Sequence, residues 1–194
     1  MTIDPDNRSL WRRDQIRIES QVVRDCVLQL ADRLDPTIGG PSILPDQQAA
    51  SVRRSIYFFH SSADRNPFLA AFDEADVQDC YRRDQSIVPQ QALALSNGAI
   101  VHDNASAIAV CVAARQGPQA GGGETASPAA DADFIAGAFV KILGRRPADA
   151  EVAACLESLA AWRAQEPAAS DAGASARTHL VWALLNHNDF VTLR

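Results

Sequence analysis

Arg53-Arg54-Ser55-Ile56-Tyr57-Phe58-Phe59-His60 decides the reading of this chain, together with the run Arg82-Arg83-Asp84-Gln85-Ser86-Ile87-Val88-Pro89-Gln90-Gln91-Ala92-Leu93. Between the Arg pairs lie Phe68, Phe72 and Tyr81 and an acidic cluster, Asp73, Glu74 and Asp76. Ser55 to His60 is the one strand-like run. Alternation would turn Ile56 and Phe58 to one face and Tyr57 and Phe59 to the other. No partner strand is visible, so an extended segment lying on helices fits equally well. Because Phe58 and Phe59 are adjacent, one of them must meet a second packing surface. A missing domain, a second subunit or the far half of the chain would each supply it.

Around this block the chain reads as helix. Leu10 to Leu34 carries a stripe of Ile16, Val23, Val27, Leu30 and Leu34, with Arg17, Arg24 and Asp25 off it. Asp35-Pro36 closes it, since the residue before Pro avoids the α region. Residues 37–48 form a loop punctuated by Gly39-Gly40-Pro41 and Pro45. Asn66-Pro67 opens a short helix with Asn as cap and Pro in the first turn. A helix from near Pro89 breaks at Asn97-Gly98, and Ile100 to Arg115 continues as another, with Ile108, Cys111 and Val112 inward. Asp131 to Leu143 ends on Gly144. Pro147 to Gln165 has a stripe of Val152, Cys155, Leu156, Leu159 and Trp162, and Ala174 to Phe190 is the last helix. The expected fold is therefore mainly α: a helical bundle with one short extended segment and long irregular loops. Residues 1–115 would form an N-terminal helical region, 116–130 a flexible Gly/Ala/Pro-rich linker, and 131–194 a helical bundle packed on the first part.

The chain has 194 residues and a net charge of −6, a balance that disfavours nucleic acid as a general partner. Lys141 is the single Lys, so the basic groups are planar Arg forks suited to carboxylate or phosphate pairing. No apolar run reaches the roughly 20 residues needed to span a bilayer, and the acidic N-terminus reads as no signal peptide. Cys26, Cys80, Cys111 and Cys155 have no zinc or CxxC spacing; the first, third and fourth read as small core residues, and the sequence leaves both free thiols and a disulfide pairing open. Trp11, Trp162 and Trp182 read as core.

In order along the chain, Leu10-Trp11-Arg12, Arg17-Ile18-Glu19, Val23-Arg24-Asp25, Asp35-Pro36-Thr37-Ile38-Gly39-Gly40-Pro41 and Arg53-Arg54-Ser55-Ile56-Tyr57 form a recognisable series. It continues with Pro67-Phe68-Leu69, Phe72-Asp73, Arg82-Arg83 through Asn97, Leu143-Gly144-Arg145-Arg146-Pro147 and Leu184-Leu185-Asn186-His187-Asn188-Asp189-Phe190. In these segments the chain resembles the C-terminal portion of the domain of unknown function 1553 family. The resemblance implies a place in large, mostly planctomycete, secreted or envelope proteins that often carry a cytochrome-c-like module upstream. It implies a cell-envelope or periplasmic setting, and the upstream family domain as a partner. It carries no established activity. Gln21 stands where the family usually has Glu, Trp182 where it has His, and Ala148 where Thr commonly caps the next helix, with Asp149 expected to take over that cap.

The candidate site residues are Arg53, Arg54, Asp73, Asp76, Arg82 and Arg83. One reading is an anion- or glycan-binding surface, or a carboxylate pair dividing acid and base roles. The other is an internal network in which the four Arg clamp Asp73 and Asp76 and tie irregular backbone to the helices. Asp73 and Asp76 are three apart, on one face of the short helix. His60, His102, His179 and His187 are scattered, so no metal ligand set is assigned, and neither a cofactor nor a catalytic residue is. His187 reads as a partner for a helix C-terminal dipole. The expected role is a non-catalytic structural or interaction module, contacting a partner through Phe58 and Phe59, with no nucleic acid and no membrane span. The alternative is a carbohydrate- or anion-binding module or a hydrolase-like enzyme using the Arg/Asp cluster.

Overall fold

A computed structural model describes residues 4, 7–11, 16–78, 88–115, 128–165 and 172–193. Its described part is mainly α, as the periodicity predicts. The helices are α1 (Ser20–Leu30), α2 (Pro45–Gln48), α3 (Pro67–Ala71), α4 (Val88–Asn97), α5 (Ala99–Ala114), α6 (Pro128–Ala138), α7 (Asp149–Gln165) and α8 (Ala172–Leu185).

The first helix is shorter than its stripe. Ile16–Arg17 forms strand β1, antiparallel to β2 (Thr192–Leu193), with Ile16 opposite Leu193. The Ile18 amide donates to Val191 O at 2.9 Å, so the two distant ends of the described chain are tied together before α1 begins. The helix stops at Ala31, not at Asp35-Pro36. Asp32 takes a left-handed φ of 57°, Asp32 N donates to Gln29 O and Arg33 N to Leu28 O. This is the paired-bond ending that glycine usually supplies, and Asp is among the few residues that tolerate it.

Ser55 to His60 is not a strand. Ser55–Tyr57 is a 3₁₀ turn, closed by Tyr57 N to Arg54 O and Phe58 N to Ser55 O. The turn breaks the alternation: Ile56 is 66% exposed while Phe58 is buried. The chain then extends for a few residues. Ile43 N donates to Tyr57 O and Phe59 N to Ile43 O, each at 2.8 Å, in an isolated parallel bridge; a second bridge joins Asp35 and Arg53.

Several predicted signals act as expected. Asn66 Oδ1 accepts from Phe68 N and Leu69 N, with Pro67 in the first turn of α3. Gly98 separates α4 from α5, and a Cβ there would lie 2.4 Å from Ala94 O, so only glycine fits this junction. Gly144, at φ 68°, follows a π-helical turn, Phe139–Leu143, that ends α6. Other signals act differently. Glu151 Oε2, not Asp149, accepts the Ala148 amide at the start of α7, the returning half of a capping box. The last helix ends at Leu185, and His187 Nδ1 accepts from Asp189 N to begin a 3₁₀ turn, Asn188–Phe190, where a helix-dipole role was expected.

One apolar cluster spans α1 (Val23, Val27), α5 (Val101, Ile108, Val112), α6 (Phe134, Ile135), Leu159 of α7 and α8 (Leu180, Val181, Leu185). Helix α5 lies on α8, α8 on α7, and α1 on α5. Trp162 and Trp182 pack at its edge, whereas Trp11 is exposed and donates its Nε1–H to Asp4 O at 3.2 Å. That indole sits in the N-terminal loop, outside the helix expected to carry it inward. Cys26, Cys111 and Cys155 are free and half-buried; Cys80 lies outside the described residues, as does 116–127 of the expected linker.

Two ion clusters fasten the C-terminal helices. Asp131 is buried and takes Arg163 at 2.6 and 2.8 Å and Arg177 at 3.2 Å, joining α6, α7 and α8. Arg145 donates to both oxygens of Glu151, at 2.8 and 2.7 Å, and through Nε to Asp189 at 2.8 Å. Burial pushes the Asp131 carboxyl up, but the two guanidinium groups outweigh it and hold it below its ordinary value. The Arg145 hydrogen bonds hold Glu151 down to about 2. A carboxylate with a depressed folded pKa contributes stability that is present above its unfolded pKa and is lost as pH falls through the folded one. Acid unfolding is therefore expected below about pH 4, with a shallower acid limb in Glu151→Gln. Asp131→Ala strands two half-buried guanidinium groups, and urea titration is expected to show a loss of about 3–5 kcal/mol.

Candidate functional site

Helix α1 positions the site. Arg24 and Asp25 are consecutive, and both turn toward the segment 51–55. Arg24 is 4% exposed. It donates to Arg53 O at 3.0 Å, to Ser55 Oγ at 3.2 Å and to Ser51 O, and its guanidinium lies 4.5 Å above the Phe58 ring. Asp25 Oδ1 accepts from Ser55 N at 2.8 Å and from Ser55 Oγ at 2.6 Å. Together they supply a donor and an acceptor to backbone that has almost no ladder bonds, and this pins the 3₁₀ turn.

Arg53 faces the other way. It stacks on Tyr57 at 4.3 Å and donates to Thr37 O and Gly39 O. Gly39 and Gly40 both have left-handed φ, 84° and 91°, which turns those carbonyls toward the guanidinium. Tyr57 Oη accepts the Gly39 amide at 3.0 Å. Arg54 is half exposed, and its Nε lies 3.9 Å from Asp25 Oδ2.

An open groove of about 370 Å³ lies between α1, this turn and the chain after α3. Glu19, Val22 and Asp25 form one side, Arg54 and Ile56 the rim, and His60 with Glu74 and Ala75 the far wall. His60 Nδ1 is 3.1 Å from Glu74 Oε1, and His60 Nε2 is 3.0 Å from Ala75 O. The Glu74 side chain is 5% exposed, and its Oε2 is buried with no hydrogen-bond partner. Burial raises the Glu74 pKa, against the pull of His60 and Arg65.

Among the described residues, the structure does not bring Arg53 and Arg54 onto Asp73 and Asp76. Helix α3 ends at Ala71, so Asp73 and Asp76 do not share a helical face; Asp73 has a left-handed φ of 58°. Asp73 accepts from Gln91 Nε2 at 3.0 Å, and buried Gln91 in turn accepts from Arg17. Asp76 pairs with Arg65 at 2.9 Å and caps the Gln78 amide. Arg53 and Arg54 reach the 37–39 loop and Asp25, not the acidic cluster. Arg82 and Arg83 lie outside the described residues. Sequence reasoning missed Arg24, Asp25 and the His60–Glu74 pair. The available signal was the charge pair Arg24-Asp25 inside an otherwise apolar helix, directly beside the stripe. Among the described residues, no group of three or more His, Cys, Asp or Glu gathers as a metal site, and no helix is long and apolar enough to cross a membrane.

A family model described as "Protein of unknown function (DUF1553)" matches residues 1–159, which include the clamp and the groove. The Leu184 to Phe190 segment lies beyond that match. No curated protein and no solved structure matches the chain.

Removing Arg24 leaves the Ser51 and Arg53 carbonyls without their donor and Asp25 without its ion-pair partner, whereas Arg54 is half exposed. Chemical denaturation is expected to show a loss of about 3 kcal/mol or more for Arg24→Met and less than about 1 kcal/mol for Arg54→Ala.

Proposed function

The chain belongs to the domain of unknown function 1553 family, and from that premise we propose that it is a non-catalytic structural and interaction module. The observation that carries this reading is where the guanidinium groups end. Arg24 and Arg53 are used on carbonyls and aromatic rings of their own chain, which leaves them no role on a substrate. Large apolar side chains also face outward: Ile56 and Val22 at the groove, and Phe59 on the neighbouring extended stretch. Phe58, the other half of the aromatic pair, is buried. The partner surface is therefore Phe59 with Ile56, and the upstream region of a family protein is its occupant. A second reading, an anion- or carbohydrate-binding module, is favoured by one observation: Arg54 stands half exposed at the mouth of the groove.

Titrating the chain with a recombinant upstream region, followed by light scattering, tests the proposal. Binding is expected, and Ile56→Ser with Phe59→Ser is expected to weaken it at least tenfold while the thermal melt stays cooperative. Turnover of any defined substrate that disappears in a folded Glu74→Gln or Asp73→Asn protein would overturn it. Selective glycan binding abolished by Arg54→Ala would replace it with the second reading.

A further inference from the structure

His60 sits between two oxygens. The Ala75 carbonyl can only accept, so the Nε2 that faces it carries hydrogen. The other nitrogen, Nδ1, faces Glu74 Oε1 at 3.1 Å, and that contact also needs a proton, on either the imidazole or the carboxyl. If the shared proton leaves, a nitrogen lone pair meets a carboxylate. Changing tautomer does not help, because Nε2 would then present its lone pair to the Ala75 carbonyl. Loss of one proton therefore breaks one of the two hydrogen bonds, whichever nitrogen keeps its hydrogen.

We propose that His60 and Glu74 form a proton-held latch that closes the far wall of the groove and opens when the pair gives up its shared proton. The latch joins the chain leaving the 3₁₀ turn to the chain leaving α3, two segments with no strand between them. Its carboxyl is unusually placed to hold a proton. Glu74 Oε2 is buried without any donor, so a carboxylate there lacks solvation on one oxygen. The surrounding charges oppose one another. Glu19 and Asp25 from α1 line the same groove and favour the protonated pair; Arg54 from the turn and Arg65, itself bound to Asp76, favour its release. Burial is the largest influence and raises the Glu74 pKa. The sign follows: a group with a raised folded pKa contributes stability that is complete below its unfolded pKa and declines as pH rises through the folded one. This is opposite to Asp131 and Glu151. The inference does not depend on whether the groove receives a protein or a small ligand.

Amide hydrogen exchange, corrected for intrinsic rates, reads the latch directly. The reporter is the Glu74 amide, which donates to Leu69 O at 3.1 Å. As pH rises, its protection is expected to fall by up to about tenfold per pH unit. Core amides of α5 and α8 should stay level. Glu74→Gln is the decisive variant, because its amide donates permanently to Nδ1 while Nε2–H keeps Ala75. That variant is expected to hold protection flat as pH rises. His60→Ala is expected to show low protection throughout. Protection in the natural chain that does not change with pH would overturn the proposal, and so would a Glu74→Gln protein with the same pH dependence as the natural chain.

Discussion

The fold of the N-terminal half depends on what Arg24 and Asp25 do for a segment that cannot satisfy its own backbone. Residues 51–60 have only one 3₁₀ turn and two isolated bridges of their own, and buried carbonyls without partners are costly. Arg24 ends two of these deficits at once, at Ser51 O and Arg53 O, and Asp25 takes the Ser55 amide and hydroxyl. With the turn fixed, Phe58 lies beneath the Arg24 guanidinium and Ile43 pairs with residues 57 and 59. Gln48 then donates to Phe59 O, and Asn66 donates to Gln48. Asn66 is also the cap of α3, which carries Leu69 into the small apolar cluster with Ile43 and Phe58. Thus α3 is held in place through a succession of side-chain bonds that starts on α1.

The two halves solve the same problem with different chemistry. In the C-terminal helices, backbone groups are satisfied within the helices, so the Arg residues are free to bind carboxylates. Asp131 and Glu151 are the result, and both are acid-labile. In the N-terminal half Arg24 and Arg53 bind carbonyls, which do not titrate. Burial lowers the Arg24 pKa, with Asp25 opposing it, but a guanidinium stays charged across any physiological range. The Arg24 bonds to carbonyls are accordingly insensitive to pH.

Much of this was legible in the sequence. Asn66-Pro67, Gly98 and Gly144 act through local backbone chemistry and sit where their spacing placed them. The stripes through Val23 and Val27, Ile108 and Val112, and Leu180, Leu184 and Leu185 mark the buried faces correctly, because burial on a long helix is a periodic property. What was not legible depends on long-range bonds. Arg24 is off the stripe and reads as solvated; its partners lie 27 to 31 residues away, in a loop with no periodicity. Ser55 to His60 alternates like a strand, yet Asp25 overrides that propensity with two bonds to one residue. Pairing of Ile16 with Leu193 joins residues at opposite ends of the chain, and nothing local announces it. The same holds for the two candidate arginines that are described, Arg53 and Arg54, which reach the 37–39 loop and Asp25. Arg53 and Asp73 look like partners when read by charge, but each finds a nearer one.

The groove inherits both kinds of chemistry, and this separates its walls. One wall is α1 and the clamped turn, fastened by Arg24 to carbonyls and packed against the main core through Val23 and Val27. The other is the short stretch after α3, held by the His60–Glu74 pair and by a left-handed Asp73. Residues held by few buried contacts open locally at a cost well below global unfolding. A rise in pH therefore acts on the second wall through its shared proton, while the Arg24 bonds of the first go to carbonyls and a hydroxyl that do not change. A fall in pH acts on Asp131 and Glu151, whose ion pairs fasten the C-terminal helices. Opening at high pH and unfolding at low pH are thus separate events, with separate residues and opposite signs.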